Sequence, residues 1–213
     1  NLGFSSSNPF HRHLMRLDAT PPAHWGAPFS VVGHFTQSLI HTDRSRFDQW
    51  TGEVFADFSQ IDTAQLQQHV RIDPQRIAGH GAARIWLEIQ KGLVDQVKTD
   101  LALHDVKVQL TNTTTALALD HLSGQIDGKR MDQGIDFSTQ GLQFQTRTGL
   151  VWPGGNVQLR LQHANTTTPA SGQFKVDSID LAIVRQLASS LPLEAQHLQL
   201  LDSLAPEGLI KTA

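Results

Sequence analysis

The sequence predicts a mostly-β protein: antiparallel strands with one apolar and one polar face, joined by short turns, with short amphipathic helices. Three observations predict it. From Gly81 to Gln90, Gly81, Ala83, Ile85, Leu87 and Ile89 alternate with Ala82, Arg84, Trp86, Glu88 and Gln90. Successive side chains of a strand point to opposite faces, so this is a strand with one apolar and one polar side. Similar stretches recur up to Val176, and Gly92, Gly128, Gly134, Gly141, Gly154 and Gly155 sit in or near the short gaps. Such gaps favour antiparallel neighbours joined by hairpins. Helical periodicity is confined to short stretches.

The elements follow in order. Residues 1–28 show little periodicity ("SSSNPF", "ATPPAHWGAP") and predict an irregular segment or linker. Residues 29–78 predict strands, "FSVVGHF" and "WTGEVFADF", closed by a short helix: Asp62 is a good N-cap, "TAQLQQHV" is helical in composition, and Pro74 ends it. Residues 79–176 predict an antiparallel section. After the turn that follows Gln90, Leu93, Val97, Leu101 and Leu103 share a side, opposite Gln96, Lys98, Asp100 and His104. Further on come Leu117 with Leu119, Ile135 with Phe137, Leu142 with Phe144, then Val157, Leu159 and Leu161, and finally Phe174 with Val176.

Residues 177–213 switch to a helical period and lead into another strand-like stretch. Ser178 is the expected N-cap, and Ile179, Ile183, Leu187 and Leu191 recur every four residues. Pro192 interrupts, and "LEAQHLQLLDSL" continues the amphipathic pattern. A faint repeat aligns Phe58–Val70 with Val176–Ala188, matching Ile61 to Ile179 and Asp62 to Asp180.

Composition limits the function. The 213 residues are 39% hydrophobic with 7% aromatics, no Tyr and no Cys. A net charge of −3, with 17 scattered Lys and Arg, gives no electrostatic case for nucleic acid or for a basic membrane patch. The absence of Cys excludes disulfides, a thiol nucleophile and thiolate metal sites. No stretch approaches the ~20 apolar residues of a membrane-spanning helix. The chain starts at Asn1 and stops at "PEGLIKTA", which reads as an internal piece of a longer protein whose targeting and anchoring signals lie outside it.

No catalytic constellation is legible. His11 and His13 are two apart; the other nine His are isolated, which predicts solvated surface residues and no metal site. Neither a G-x-S-x-G elbow nor a phosphate-binding glycine loop occurs, and no cofactor motif is present. The N-x-T triplets in "TNTTT" and "ANTTTP" read as polar turns. Trp86 stands on the polar side of its strand. Burial beneath residues 1–28 is the simpler expectation, a partner-contact surface the alternative.

The apolar side is aliphatic and nearly free of polar groups. A sugar site would want aromatic platforms and clustered polar residues, whereas an aliphatic trough suits acyl chains, each buried methylene contributing about 0.8 kcal/mol without directional contacts. On pattern alone, two such sheets packed as a sandwich, or one curled into a barrel, is the more common solution.

From Gly79 onward the sequence resembles the YhdP branch of the AsmA-like proteins of Gram-negative bacteria. The carriers are "GHGAARIWLEIQKGLVDQVKTDLALHDVKVQL", "LALDHLSGQIDG" and "GQFKVDSIDLAIVRQLASSLPL…LLDSLAPEGLI". The resemblance covers about two-thirds of the chain, is weakest in residues 1–28, and rests on diffuse patterns of Gly, Trp and aliphatics. It implies that the strands form a long, curled antiparallel β-sheet with a hydrophobic groove. It also implies a bridge-like lipid transfer protein in the periplasm, held at the inner membrane by a segment outside this chain, whose groove carries phospholipid acyl chains between the membranes. Adjoining sections of the same polypeptide would be its other partners. No nucleic acid, cofactor or catalysis is expected. The residues expected to line the groove are Ile85, Leu87, Ile89, Leu93, Val97, Leu101, Leu103, Leu117, Leu119, Ile135, Phe137, Leu142, Phe144, Val157, Leu159 and Leu161. The rival expectation is a closed β-sandwich that binds a protein or glycan, followed by a hydrolase with scattered carboxylates.

Overall fold

A computed structural model describes residues 2–7, 12–21, 27–37, 47–62, 77–109, 112, 114–162, 171–190, 195–204 and 208–211. The strands are β1 (Leu2–Ser7), β2 (Arg12–Ala19), β3 (Phe29–Gln37), β4 (Trp50–Asp62), β5 (Ile77–Gln90), β6 (Leu93–Val108), β7 (Leu117–Met131), β8 (Gly134–Thr146), β9 (Val151–Trp152), β10 (Val157–Gln162), β11 (Ser171–Val176), β12 (Ser178–Asp180) and β13 (Leu209–Lys211). Helix α1 spans Leu181–Leu187 and α2 Ala195–Leu204.

Hydrogen bonding follows chain order, β1-β2-β3-β4-β5-β6-β7-β8-β10-β11, with β9 paired to β8. Each of these pairings is antiparallel. Strands β12 and β13 form a separate ribbon. The β5–β6 turn shows why the hairpins close tightly. Lys91 and Gly92 both take positive φ, 51° and 71°, the backbone of a two-residue turn whose twist matches its strands.

The sheet is a single open, curled layer. Among the described residues every extensive strand–strand contact joins hydrogen-bonded neighbours, and β1 and β11 each have one neighbour. This rules out the sandwich among the described residues: the only other sheet is the two-stranded β12–β13 ribbon, which brings Ile179 against one end of the first. The surface agrees. The chain exposes 14018 Å², against about 9,800 Å² for a compact monomer of this mass. Strands of 14 and 16 residues in β5 and β6 stay in register by local bulges, which bend and twist a sheet.

Three expectations need correction. Residues 2–7 and 12–19 are strands, not an irregular segment. In β2, His13, Met15, Leu17 and Ala19 pair with Phe35, Gly33, Val31 and Phe29, so alternation is present once His and Met count as inward residues. Trp86 is therefore not buried beneath the N-terminal residues, because β1 and β2 lie beyond β3 at the far edge of the sheet. The N-cap of α1 is Asp180, not Ser178: its carboxylate accepts from the Ala182 and Ile183 amides at 2.9 and 3.4 Å, while Ser178 pairs with Lys211 in β12–β13. The helix expected after Asp62, and most of the first copy of the faint repeat, lie outside the described residues.

Candidate functional site: the apolar face of the sheet

The register assembles one side of the sheet strand by strand. Across β4, β5 and β6, Val54–Leu87–Val97 and Ala56–Ile85–Thr99 form continuous rows, and Phe58–Ala83–Leu101 runs on to Gly124 in β7. On one flank Phe29, Val31 and Gly33 of β3 continue these rows to Ala19, Leu17 and Met15 of β2, and Leu17 meets Phe4 of β1. On the other flank Thr99 pairs with Ile126, Ile126 with Thr139, and Thr139 with Val157. Phe137 and Leu159 lead to Phe174 at the last edge. The apolar face thus crosses ten strands, a path of about 43 Å at the usual strand spacing.

Bulges keep this face continuous where simple odd–even counting fails. Asp105 and Val106 of β6 together oppose Gly79 of β5, and Asp105 has φ 49°. The extra residue moves the aliphatic set from Leu101 and Leu103 to Val106 and Val108. On β7 the shift falls between Leu119 and His121, so Leu119 and Leu122 both join the face. On β8, Gly141 (φ 57°) sits in the shift that joins Ile135 and Phe137 to Leu142 and Phe144.

One end of the face is covered. Val106 and Leu119, each 2% exposed, pack with Phe144, Trp152 and Leu187, and Ile179 and Ile183 lean on the same cluster. Leu187 and Ile183 come from α1, so the first part of the expected amphipathic stretch buries its apolar side against the ends of β6–β8, whereas Leu204 of its continuation is exposed and Leu191 and Pro192 lie outside the described residues. Phe144 and Trp152 stack with ring centroids 5.9 Å apart. The Ser189 carbonyl accepts from the Thr115 amide at 2.9 Å and ties the end of the helix to the start of β7.

Away from this cluster nothing among the described residues closes over the face. Ile85, Leu87, Ile89, Val97, Leu101, Phe137, Leu142, Val157 and Leu159 are half-buried and Ile135 and Leu161 are exposed, while the half-buried Leu103 and Leu117 pack against the cluster. Leu119 and Phe144 are buried in the covered end. Leu93 departs from expectation. A register shift after Glu88 sets Val94 opposite Ile89 and Leu93 opposite Gln90, so Leu93 belongs with the polar side at the hairpin tip. Missed from the sequence were Val106, Val108, Leu122 and Ile126, whose even positions only make sense with the bulges, and the β2–β3 set from Met15 to Gly33; Val54, Ala56 and Phe58 alternate plainly onto one face of β4 but are absent from the expected lining.

The opposite face is charged. Arg84 Nε lies 3.8 Å from Asp57, Gln96 Nε2 donates to both Asp127 oxygens at 2.8 Å, and Arg160 Nε donates to Asp136 at 2.9 Å. That guanidinium holds the Asp136 carboxyl below its ordinary value, with help from Gln158 against partial desolvation. His80 and His104 face each other, and His80 Nε2 lies 3.6 Å from Asp105. No helix among the described residues is long and apolar enough to cross a membrane.

No curated protein and no solved structure matches the chain. A family of proteins does: the sequence pattern described as YhdP protein matches residues 3–213, nearly the whole chain and including the two N-terminal strands. An open antiparallel sheet, apolar along one side from edge to edge, is therefore the form this sequence takes as a member of the YhdP family.

Proposed function

We propose that the chain is a non-catalytic section of a periplasmic lipid conduit, and that its apolar face is a groove carrying phospholipid acyl chains between inner and outer membrane. Membership of the YhdP family supports, in general terms, a lipid-transport bridge in the periplasm anchored at the inner membrane. The observation that carries the finer reading is the mainly apolar face, much of it half-buried, that the strand register carries across ten strands. A monomeric protein rarely leaves so large an apolar surface uncovered without a ligand or partner. Acyl chains suit it because their methylenes gain about 0.8 kcal/mol each on burial and need no directional partner. A continuous stripe lets a chain slide without crossing a polar barrier, and the charged opposite face keeps the outside wet. The free edges of β1 and β11 are where adjoining sections of the same polypeptide would extend the groove, and the membrane anchor belongs to such a section.

Site-specific photocrosslinking tests this. A benzophenone side chain placed at Leu87, Val97 or Leu101 of the full-length protein in cells should capture phospholipid, detectable as a mass or radiolabel adduct. The same group at Arg84 or Ala102, on the other side of the same strands, should not. Equal labelling of both faces, or none on the aliphatic one, overturns the groove.

A further inference from the structure

The polar face carries a concavity that the conduit does not use. It measures about 520 Å³ and lies over β4–β6, lined by Glu53, Phe55, Trp86, Glu88, Lys98 and Asp100, with the Gln125 amide of β7 at its side. That size falls within the range of small-molecule sites. Trp86 is 37% exposed there and leans on Phe55, ring centroids 5.2 Å apart and tilted by 39°. Every other large aromatic of the described β4–β8 strands lies on the apolar side.

We infer that this concavity binds a neutral carbohydrate of one to a few pyranose rings, with the Trp86 indole as the stacking platform. A pyranose presents an apolar C–H face beside hydroxyls that both donate and accept. The lining matches both halves. Trp86 and Phe55 supply an apolar surface with little rotamer freedom to lose. Around them Glu53, Glu88 and Asp100 accept, while Lys98, directly across the ladder from Trp86, donates. Glu53 and Glu88 stand opposite each other on β4 and β5, an arrangement that destabilises an empty sheet and that bridging hydroxyl donors would relieve. The Asp100 Oδ1 is shielded from solvent and has no hydrogen-bond partner, a polar atom that a ligand hydroxyl would satisfy once the carboxylate turns toward the concavity. Three carboxylates against one ammonium disfavour an anionic ligand such as a phosphate. The polar rim disfavours an acyl chain. The site is independent of the lipid reading, because it lies on the opposite face.

The test is saturation-transfer NMR on the full-length protein with chitotriose, cellotriose and maltotriose as probes, and spermine as a cationic competitor. Saturable binding of at least one sugar is expected. Trp86→Ala should weaken it about tenfold, which is 1.4 kcal/mol of binding free energy, and Asp100→Asn should weaken it several-fold. Lipid capture at Leu101 should be unchanged in both. If Trp86→Ala fails to fold, Asp100→Asn decides alone. No saturable binding of any of the sugars, binding that both variants retain, or displacement showing spermine to be the preferred ligand would each overturn the inference.

Discussion

Val106 and Val97 lie on one strand and point to one side of it, yet they answer to different physics. Val106 is 2% exposed, wedged among Leu119, Phe144, Trp152 and Leu187, while Val97 is half-buried on the open part of the face. Removing two methyl-sized groups from a packed site loses their transfer energy and leaves a cavity, so Val106→Ala should cost about 2 kcal/mol. Val97→Ala opens no closed cavity and should cost less than about 1 kcal/mol. Urea melts of the purified variants read both values; equal losses would mean that the face is sealed. Asp136 gives a second residue-level expectation. Its folded pKa is depressed, chiefly by the hydrogen bond from Arg160. A depressed carboxylate stabilises the fold above its unfolded value, near 3.9, and that contribution disappears as pH falls through the folded value. The pair is partly solvated, so its worth is about 0.5 kcal/mol. Asp136→Asn should therefore lower stability slightly at pH 7, and the difference from the parent should shrink as the pH is lowered below the ordinary carboxylate value of about 3.9, as measured by urea midpoints across that range.

At the scale of elements, α1 matters more than its length suggests. It is seven residues long, too short to persist alone, and it holds its place through Asp180 at the N-cap and Leu187 in the cluster. Asp180→Ala should cost about 1 kcal/mol, and hydrogen exchange should rise in 181–187 and at the covered ends of β6 and β7, with little change at β3–β4. Uniform loss of protection would show that the helix is not a local clamp. The elements also mark what the sequence made legible. β5 alternates without interruption from Gly81 to Gln90, and the structure keeps that reading residue for residue. β6 to β8 were legible only piecewise. Period-two alternation fixes a face until an extra residue reverses the count; Asp105 and Asp120 do so without any flanking signal, whereas Gly141 marks its own break in β8. Leu93 was assigned by parity across such a shift and so landed on the wrong side. β1 and β2 were missed because their inward positions include His13, Met15 and Ser6, and a hydrophobicity count treats those as noise. Ser178 looked like the cap because nothing local shows that residues 178–180 pair with 209–211.

At the scale of the whole molecule, the decisive property is that the sheet is open while its lining is continuous. In a closed core a charge at any inward position destabilises the fold, whereas in an open trough it can be tolerated by the fold and still obstruct whatever passes. Leu101 and Ala102 isolate the difference. They are consecutive on β6; Leu101 pairs with Ala83 and Gly124 on the aliphatic side, Ala102 with Ala82 and Ser123 on the polar side. Leu101→Asp places a carboxylate in the middle of the apolar path, where a passing chain would have to strip its hydration or leave a methylene against it. Ala102→Asp adds the same charge facing water, where substitutions shift stability by about 0.5 kcal/mol or less. In cells whose only copy of the full-length protein is the variant, Leu101→Asp should slow the arrival of pulse-labelled phospholipid at the outer membrane by about tenfold, and Ala102→Asp should leave it unchanged. Both proteins should accumulate to parental levels and melt cooperatively, since Leu101 is half-buried and its aspartate can still reach solvent along the open side. If Leu101→Asp simply unfolds the protein, the face is a core and not a path. If it folds and phospholipid arrives at the parental rate, the path runs elsewhere.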